Sequence, residues 1–268
     1  MNTESHSGTS GQQLLKQIME RIEELAQATD SARMSEEMTR YLDTFARFHR
    51  YSMHNSWLIM MACPGASVVA GFHAWQKLKR YVRKGEHGIP ILAPILINTQ
   101  AQDDAEEMVL RGFKVVYVFD ISQTDGEPLP DPPDWKSPER NALLSERLMT
   151  FAQERGITVT EQALRGEAQG VSKGGRIELA PTAGTSTLIH EIAHELMHKG
   201  VDAPPERVVR ELEAECVSFV VAHHFGLQCI GSPNYVALHG ASSKLILEHM
   251  ERISQTSAQI IEAVEGQG

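Results

Sequence analysis

The chain has 268 residues, of which 41% are hydrophobic and 22% charged, and its formal net charge is −10 at pH 7. This composition is typical of an ordinary folded protein with one large or two smaller domains, and it argues against intrinsic disorder and against a uniformly basic, polyanion-binding surface. No apolar run approaches the roughly 20 residues that span a bilayer, and the N-terminus lacks the basic and apolar stretches of a signal peptide, so we expect a cytoplasmic protein without a membrane partner.

The first half of the chain predicts helices followed by strands. Apolar residues recur at helical spacing over 14–27 and 36–48, and a third, short helix is expected over 56–62 with Asn55 as its N-cap. The runs IPILAPILI and KVVYVFDI are apolar and rich in β-branched residues, which favours strands over residues 89–97 and 114–121.

Charge is segregated along this half. Residues 47–88 contain seven basic residues and one acidic residue, a local net charge of +6, whereas residues 101–135 contain nine acidic and two basic residues, a local −7. The acidic stretch ends in GEPLPDPPDW, and prolines favour an extended linker. We therefore expect a first domain over 10–125, a linker over 126–137 and a second domain over 138–268.

The second half predicts further helices around a small sheet. The periodicity indicates helices over 139–155, 186–199, 205–225 and 241–264, with strands near 157–161 and 175–180. Helices and strands that are not in regular alternation favour an α+β fold class.

The segment TLIHEIAHELMHKG, residues 187–200, contains the pattern His-Glu-x-x-His in two overlapping registers. The first joins His190 to His194 and the second joins His194 to His198. Successive side chains on a helix are about 100° apart, so these residues share the polar face of an amphipathic helix. A merely solvated face is the alternative, but such faces usually carry Lys, Glu, Gln and Arg.

Two imidazoles one helical turn apart are typical ligands of Zn²⁺, and the Glu that follows the first His is then the general base for a metal-bound water. His190 and His198 are roughly 12 Å apart along the helix, so all three histidines do not share one ion. Gly200 favours a helix end beside the second register. We therefore predict His190 and His194 as ligands and Glu191 as the catalytic base, with His198 outside the ligand set.

A hydrolytic zinc site has three protein ligands and leaves one position for water, so a third ligand is required. The helix predicted over 205–225 offers Glu211 and Glu215 at the border of its apolar arc, in line with the small Ser218. We expect this edge to meet the histidine helix, and we expect Glu213 on the outer face. The pattern leaves Glu211 and Glu215 open as the third ligand.

HEIAHELMH followed by RELEAECVSFVV resembles the metallopeptidase domain shared by ImmA/IrrE proteins and ArdC-type antirestriction proteins, which are zincins with a glutamate ligand. The resemblance implies a zincin-like, zinc-dependent peptidase in which Glu211 is the third ligand and Glu215 an acceptor that orients a ligating histidine. Imidazole and carboxylate ligands also accept Mn²⁺ or another divalent ion in place of Zn²⁺.

The stretch from Arg50 to Pro94, RYSMHNSWLIMMACPGASVVAGFHAWQKLKRYVRKGEHGIPILAP, is similar to the N-terminal domain of ArdC-type proteins. In that family the domain binds single-stranded DNA, which implies the same partner here. One departure is Lys79, where relatives often have glycine.

The residues support this binding independently, because nonspecific single-strand binding uses cations for phosphates and aromatic faces for bases. Trp57 and Trp75 have a competing interpretation as core, whereas Tyr81 lies between two arginines and is the better stacking candidate. The predicted DNA-binding residues are Arg50, Trp75, Lys77, Lys79, Arg80, Tyr81, Arg83 and Lys84.

Two functions remain open from the sequence. One is a zinc peptidase that the DNA-binding half delivers to a DNA-associated protein, as an ImmA/IrrE-like protease cleaving a DNA-bound repressor would be. The other is an antirestriction protein that shields single-stranded DNA and uses its metal for fold stability alone. Groups that stabilise the oxyanion are not assigned by the pattern, and the candidates are His223, His224, Tyr235 and His239.

Overall fold

A computed structural model describes residues 10–26, 31–100, 106–129, 138–166, 168–200, 203–227 and 242–267. Helices and short sheets are mixed along them, which confirms the α+β class. Among the described residues, no helix combines the length and the apolar character needed to cross a membrane.

The chain divides into two compact units, the first of Met1–Arg21 and His54–Pro130 and the second of Ile22–Met53 and Asp131–Gly268. The partition differs from the predicted domain boundary because residues 22–53 group with the second unit. Residues 130–137 of the predicted linker lie outside the described residues.

The helices match the predicted ones closely, with one short addition. They are α1 (Gly11–Ala26), α2 (Ser31–Arg47), α3 (Met53–Ala62), α4 (Phe72–Lys77), α5 (Pro138–Glu154), α6 (Thr185–Met197), α7 (Arg207–His224) and α8 (Ser243–Glu265). The strands are β1 (Val69–Gly71), β2 (Arg80–Val82), β3 (Ile89–Gln100), β4 (Glu106–Asp120), β5 (Thr124–Gly126), β6 (Thr158–Glu161), β7 (Gly170–Ser172) and β8 (Arg176–Leu179). A short 3₁₀ helix (Ile121–Gln123) precedes β5.

The first unit is built on an antiparallel sheet in the order β1, β4, β3, with β2 and β5 forming a separate antiparallel pair. Helix α3 begins at Met53, so Asn55 is inside it and the predicted N-cap role is wrong. Its buried amide instead donates to the carbonyl of Leu92 at 2.9 Å and accepts from the N–H of Leu92 at 2.8 Å. This pair of bonds links α3 to the sheet.

The backbone of Lys79, between α4 and β2, has φ of +56°, in the left-handed region. This region costs an ordinary L-residue about 1–2 kcal/mol, whereas glycine enters it freely and loses roughly 0.5–1 kcal/mol through its more flexible unfolded state. Lys79, the departure from the family resemblance, therefore lies at a position whose backbone favours glycine.

We expect Lys79→Gly to be more stable than Lys79→Ala by about 0.5–1 kcal/mol, the difference between these two effects. Urea unfolding of the two variants measures it. Both variants lose the contact of 3.3 Å between Lys79 Nζ and Glu127, so the difference between them reports the cost of the backbone conformation alone. Equal stabilities would contradict the assigned backbone conformation.

The second unit packs its helices around α7. Helix α7 contacts α2, α6 and α8, and α6 also packs against β7 and β8. The sheet has the order β6, β8, β7, with β6 and β8 parallel and β7 antiparallel to β8. Strand β7 is therefore an edge strand, and it lies beside the histidine helix.

Candidate metal centre

Helix α6 separates its apolar and histidine faces as the sequence predicts. Leu188, Ile189 and Ile192 are buried in the second unit, while His190 and His194 line a cleft of about 940 Å³. The helix begins after Gly184 and ends at Met197, with His198 as its C-cap. The chain thus leaves the helix at the last histidine of the second register.

Three ligand atoms converge on one point of the cleft. Nε2 of His190 and Nε2 of His194 are 3.0 Å apart, and each is 3.5 Å from Oε2 of Glu211. Ligands at about 2 Å from a tetrahedral Zn²⁺ are themselves about 3.3 Å apart, so the spacing fits a shared ion without rearrangement. Two imidazoles and one carboxylate are also the donor set of hydrolytic zinc sites.

Glu211, not Glu215, provides the converging carboxylate. Its other oxygen, Oε1, is 3.3 Å from Nε of Arg207 one turn earlier in α7, which orients the group. Glu215 is exposed and lines the same cleft. The Ser218 hydroxyl donates to the carbonyl of Ser186 at 3.1 Å, so the small-residue edge of α7 does face α6.

Glu191 lines the cleft beside the two histidines and is 7% exposed. Burial raises the pKa of its carboxyl to about 7, against a hydrogen bond from the Ser172 backbone that lowers it. Strand β7 comes so close that a Cβ on Gly170 would lie 2.7 Å from Cγ of Glu191. Glycine at 170 is therefore what lets the edge strand and the carboxylate share this space.

His198, the last histidine of the second register, joins a hydrogen-bonded network instead of the ligand cluster. Nδ1 of His194 is 2.9 Å from Nδ1 of His198, and Nε2 of His198 is 2.8 Å from Oε2 of Glu213. The other oxygen of Glu213 is 2.7 Å from Nδ1 of His249 and 3.5 Å from Nε of Arg252. A carboxylate hydrogen-bonded to a histidine fixes which ring nitrogen holds the proton. Glu213 does this for His198, and His198 in turn accepts from Nδ1 of His194, so Nε2 of His194 is left to face the ligand cluster.

The predicted outer position of Glu213 is wrong, because its side chain is 0% exposed. Although burial raises its pKa, the hydrogen bonds from His198 and His249 and the charge of Arg252 lower it to about 2. Helix α7 contacts α2, α6 and α8, and α8 covers the face that carries Glu213. His249 and Arg252, which contact Glu213, are three residues apart on one face of α8. Their spacing in the sequence indicated a polar strip on that helix, which the prediction did not use.

Glu195, the glutamate of the second register, holds the turn between β7 and β8. Its Oε1 accepts from the Ser172 hydroxyl at 2.7 Å and from the N–H groups of Lys173 and Gly174 at 3.1 and 2.8 Å. Its Oε2 accepts from the N–H of Gly175 at 2.5 Å. Burial raises the pKa of Glu195, but these bonds outweigh it and the pKa is lowered. The residue anchors the edge strand over the cleft.

The oxyanion candidates that the structure describes lie elsewhere in the second unit. His223 contacts Asp43 at 2.8 Å and His224 contacts Glu265 at 3.0 Å. Neither lines the cleft around His190. Tyr235 and His239 lie outside the described residues.

Two of the predicted DNA-binding residues are buried in the first unit. Trp75 is 0% exposed and its indole N–H donates to the carbonyl of Phe119 at 2.9 Å. Arg80 is 9% exposed, and its guanidinium donates to Thr124 and to the carbonyls of Gly126 and Glu127. We correct both assignments, since a stacking ring and a phosphate contact each need an exposed group.

The other predicted residues are on the surface. Tyr81 is 59% exposed, and the side chains of Lys77, Lys79 and Lys84 are exposed near it in the chain. Arg83 is also exposed, but its guanidinium forms ion pairs with Glu86 at 2.7 Å and with Asp125 at 3.5 Å.

Arg50 belongs to the second unit and pairs with Glu265 at 3.0 Å. It is therefore grouped apart from the other predicted cations.

The prediction missed further exposed aromatic side chains in the first unit. Phe113 and Tyr117 are 47% and 49% exposed on β4, and Phe72 on α4 is 46% exposed. Phe113 and Tyr117 are four residues apart in a strand and thus on one face. Their alternation in the sequence was the available signal.

The N-terminal part of the chain matches a family described as the N-terminal domain of anti-restriction factor ArdC, over residues 10–119. An uncharacterized protein of Bacillus anthracis is 24% identical over 302 aligned positions, which cover 93% of this chain and 51% of that protein. The chain thus spans about half the length of the curated relative it matches.

Two crystal structures of the antirestriction ArdC protein from plasmid R388 are similar to this chain. The metal-free structure has a TM-score of 0.51 and 18% identity, covering 81% of this chain and 86% of that one. The Mn(II)-bound structure has a TM-score of 0.47 and 18% identity, covering 84% and 97%. The first similarity extends the likeness in fold beyond the N-terminal domain.

Proposed function

We propose that this chain, an ArdC-type protein by its N-terminal domain and its fold, is a cytoplasmic antirestriction protein that binds single-stranded DNA and has a zinc metallopeptidase centre. The observation that carries the metallopeptidase part is the convergence of His190, His194 and Glu211 within 3.0–3.5 Å of one another. Zn²⁺ is the first choice of ion, and the same ligands suit Mn²⁺.

The surroundings of these ligands favour an open, hydrolytic site over a closed one. Among the residues that the structure describes, three protein ligand atoms converge, and they do so in the wall of a cleft. Structural zinc sites have four protein ligands. A bound Zn²⁺ would supply an activated water and polarise a peptide carbonyl.

Within this arrangement Glu191 has the role of proton acceptor and donor. It lies in the same cleft as the ligands, and burial holds its carboxyl in a water-poor setting. It takes the proton from the attacking water and returns it to the leaving amine. His190, His194 and Glu211 would hold the ion. The hydrogen bonds from His194 to His198 and from His198 to Glu213 fix the orientation of the His194 ring.

An extended peptide is the substrate class that the cleft fits best. Residues of the edge strand β7 line it, including Gly170, Val171 and Ser172. An edge strand has unpaired backbone groups on one side, and an extended peptide can add to it as a further strand. A DNA-associated protein is the substrate that a DNA-binding partner domain would supply.

Single-stranded DNA binding is proposed for the first unit alone. Exposed Lys77, Lys79 and Lys84 supply positive charge, and exposed Tyr81 supplies a ring for stacking. Phe113 and Tyr117 on β4 add two further exposed rings, replacing the buried Trp75 in this role. Base stacking on such rings contributes roughly 1–3 kcal/mol per base, without sequence preference.

Changing Lys77, Lys79 and Lys84 together to Gln is expected to weaken single-strand binding and to make it less sensitive to salt. Each lost phosphate contact lowers the slope of log affinity against log salt by about 0.7, so the triple change lowers it by about 2. Fluorescence anisotropy with an oligothymidine at several salt concentrations measures this. A triple change of Lys16, Arg40 and Lys244, also exposed, is the control and should leave both quantities unaltered.

The antirestriction role is tested by introducing an unmodified plasmid into a restricting host that produces the protein. We expect recovery of the plasmid to rise with the wild-type protein and to return to the control level with the lysine triple variant. Equal recovery with and without the wild-type protein would exclude the role, whatever the chemistry of the cleft.

A further inference from the structure

A second set of candidate ligand atoms lies in the second unit, apart from the cleft. It consists of His49, His224 and Glu265, whose ligand atoms are all within 4.8 Å of one another. The rings of His49 and His224 are 4.6 Å apart between centroids. None of the three lines the cleft of His190.

His49 is a buried imidazole whose hydrogen-bonding capacity is largely unused. Its side chain is 6% exposed, and neither Nδ1 nor Nε2 has a hydrogen bond of normal geometry, although the carbonyl of Ala46 lies near the ring. A buried polar group left unsatisfied costs about 1–3 kcal/mol. Its Nε2 is 3.9 Å from Oε2 of Glu265, too far for a hydrogen bond, and its ligand atom lies within 4.8 Å of those of His224 and Glu265.

His224 has the hydrogen bonding of a metal-bound histidine. Its Nδ1 is 2.8 Å from the carbonyl of Ala46, which only accepts, so Nδ1 holds the proton. In a neutral ring, the lone pair of Nε2 then faces Oε1 of Glu265, at 3.0 Å. Two electron-rich atoms at this distance need a proton or a metal cation between them, and a backbone carbonyl behind the other nitrogen is typical of zinc-bound histidines.

The backbone around the cluster favours positive charge. Helix α7 ends at His224, α8 ends at Glu265, and His49 follows the end of α2 at Arg47. Helix C-termini have a partial negative charge, so three of them together stabilise a cation. Arg50 contacts only Oε2 of Glu265, at 3.0 Å, and its side chain is 73% exposed, which leaves Oε1 to the cluster.

We propose that His49, His224 and Glu265 bind a second divalent metal ion of the zinc type, which fastens the ends of α2, α7 and α8 to one another. The donor set equals that of the centre in the cleft, with water in the remaining positions. The ordinary alternative is an imidazolium on His224 paired with Glu265, with no metal.

Zn²⁺ titration of the 268-residue chain, with elemental analysis after dialysis, separates these cases. We expect two Zn²⁺ per wild-type chain and one in the His190→Ala, His194→Ala double variant. Adding His49→Gln and His224→Gln to that variant should remove the last ion. His223→Gln is the matched control, because His223 is the neighbouring histidine and pairs with Asp43 outside the cluster.

Retention of the last ion by the quadruple variant, or its absence from the double variant, would overturn the proposal. Circular dichroism shows that each variant is folded, and thermal unfolding gives a second readout. The double variant should melt higher with Zn²⁺ than with a chelator, and the quadruple variant should not. One ion in the wild type that the double variant loses refutes only this second site. One ion that the double variant keeps and the quadruple variant loses refutes the centre in the cleft.

Discussion

Replacing Glu191 with glutamine is expected to abolish peptide hydrolysis and to leave the metal bound. The amide has nearly the same shape but does not accept the proton of the attacking water. General-base catalysis contributes roughly 10²–10⁴-fold, so the rate should fall by that factor. Cleavage of a fluorogenic peptide library by the metal-loaded protein measures the rate, and elemental analysis measures the metal.

The matched control is Glu215→Gln, which removes an exposed carboxylate from the same cleft. It should lose less activity than Glu191→Gln, since Glu215 does not converge with the ligands and the family resemblance gives it at most the orientation of a ligating histidine. Unchanged cleavage by Glu191→Gln would show that another group is the base. Survival of antirestriction in that variant would separate the DNA-shielding role from the chemistry.

Replacing Glu213 with glutamine is the second large expected effect, because this carboxylate is fully buried between His198 and His249. Breaking a buried charge pair costs about 3–5 kcal/mol, so we expect a loss in that range in urea unfolding. Loss of the hydrogen-bonding partner of a metal ligand weakens metal binding about 10–100-fold. Glu213 acts one residue further back, through His198, so we expect a smaller loss of metal affinity. Competition with a chromogenic chelator measures the second effect.

Glu178→Gln is the control for burial, since Glu178 is 4% exposed and is paired with Lys173 and Arg176 outside the ligand cluster. It should lower stability with little change in metal affinity. His198→Ala should weaken metal binding at least as much as Glu213→Gln does, because His198 contacts His194 directly. His198→Asn, which keeps an acceptor near Nδ1 of His194, should restore part of the affinity. Equal metal affinity in all four variants would show that His198 and Glu213 do not position the His194 ring for the metal.

The sequence predicted the histidine helix and its partner because both signals are local. Periodicity places His190 and His194 on one face, and the small Ser218 marks the edge of α7 that meets them. The order of Glu211 and Glu215 came from the resemblance to a family, not from the pattern. Residues 10–119 match the family of ArdC N-terminal domains, as the resemblance implied, and the fold is similar to that of an ArdC protein.

What the sequence did not predict depends on neighbours distant in the chain. Glu213 is inside the protein because α8 covers a face of α7 that a helical wheel leaves open. Strand β7 has only three residues, Gly170–Ser172, too few for a hydrophobic alternation to be recognised. Trp75 and Arg80 lie among basic residues in the sequence, but their burial depends on Phe119 and Thr124 far along the chain.

The most direct test of the account is a crystal structure of the protein grown with Zn²⁺, with diffraction measured at the zinc absorption edge. We predict an anomalous peak in the cleft about 2 Å from Nε2 of His190, Nε2 of His194 and an oxygen of Glu211, with a solvent oxygen as the fourth ligand. A fully loaded crystal without a peak at these three residues, or with the ion held by His198 in their place, would contradict it.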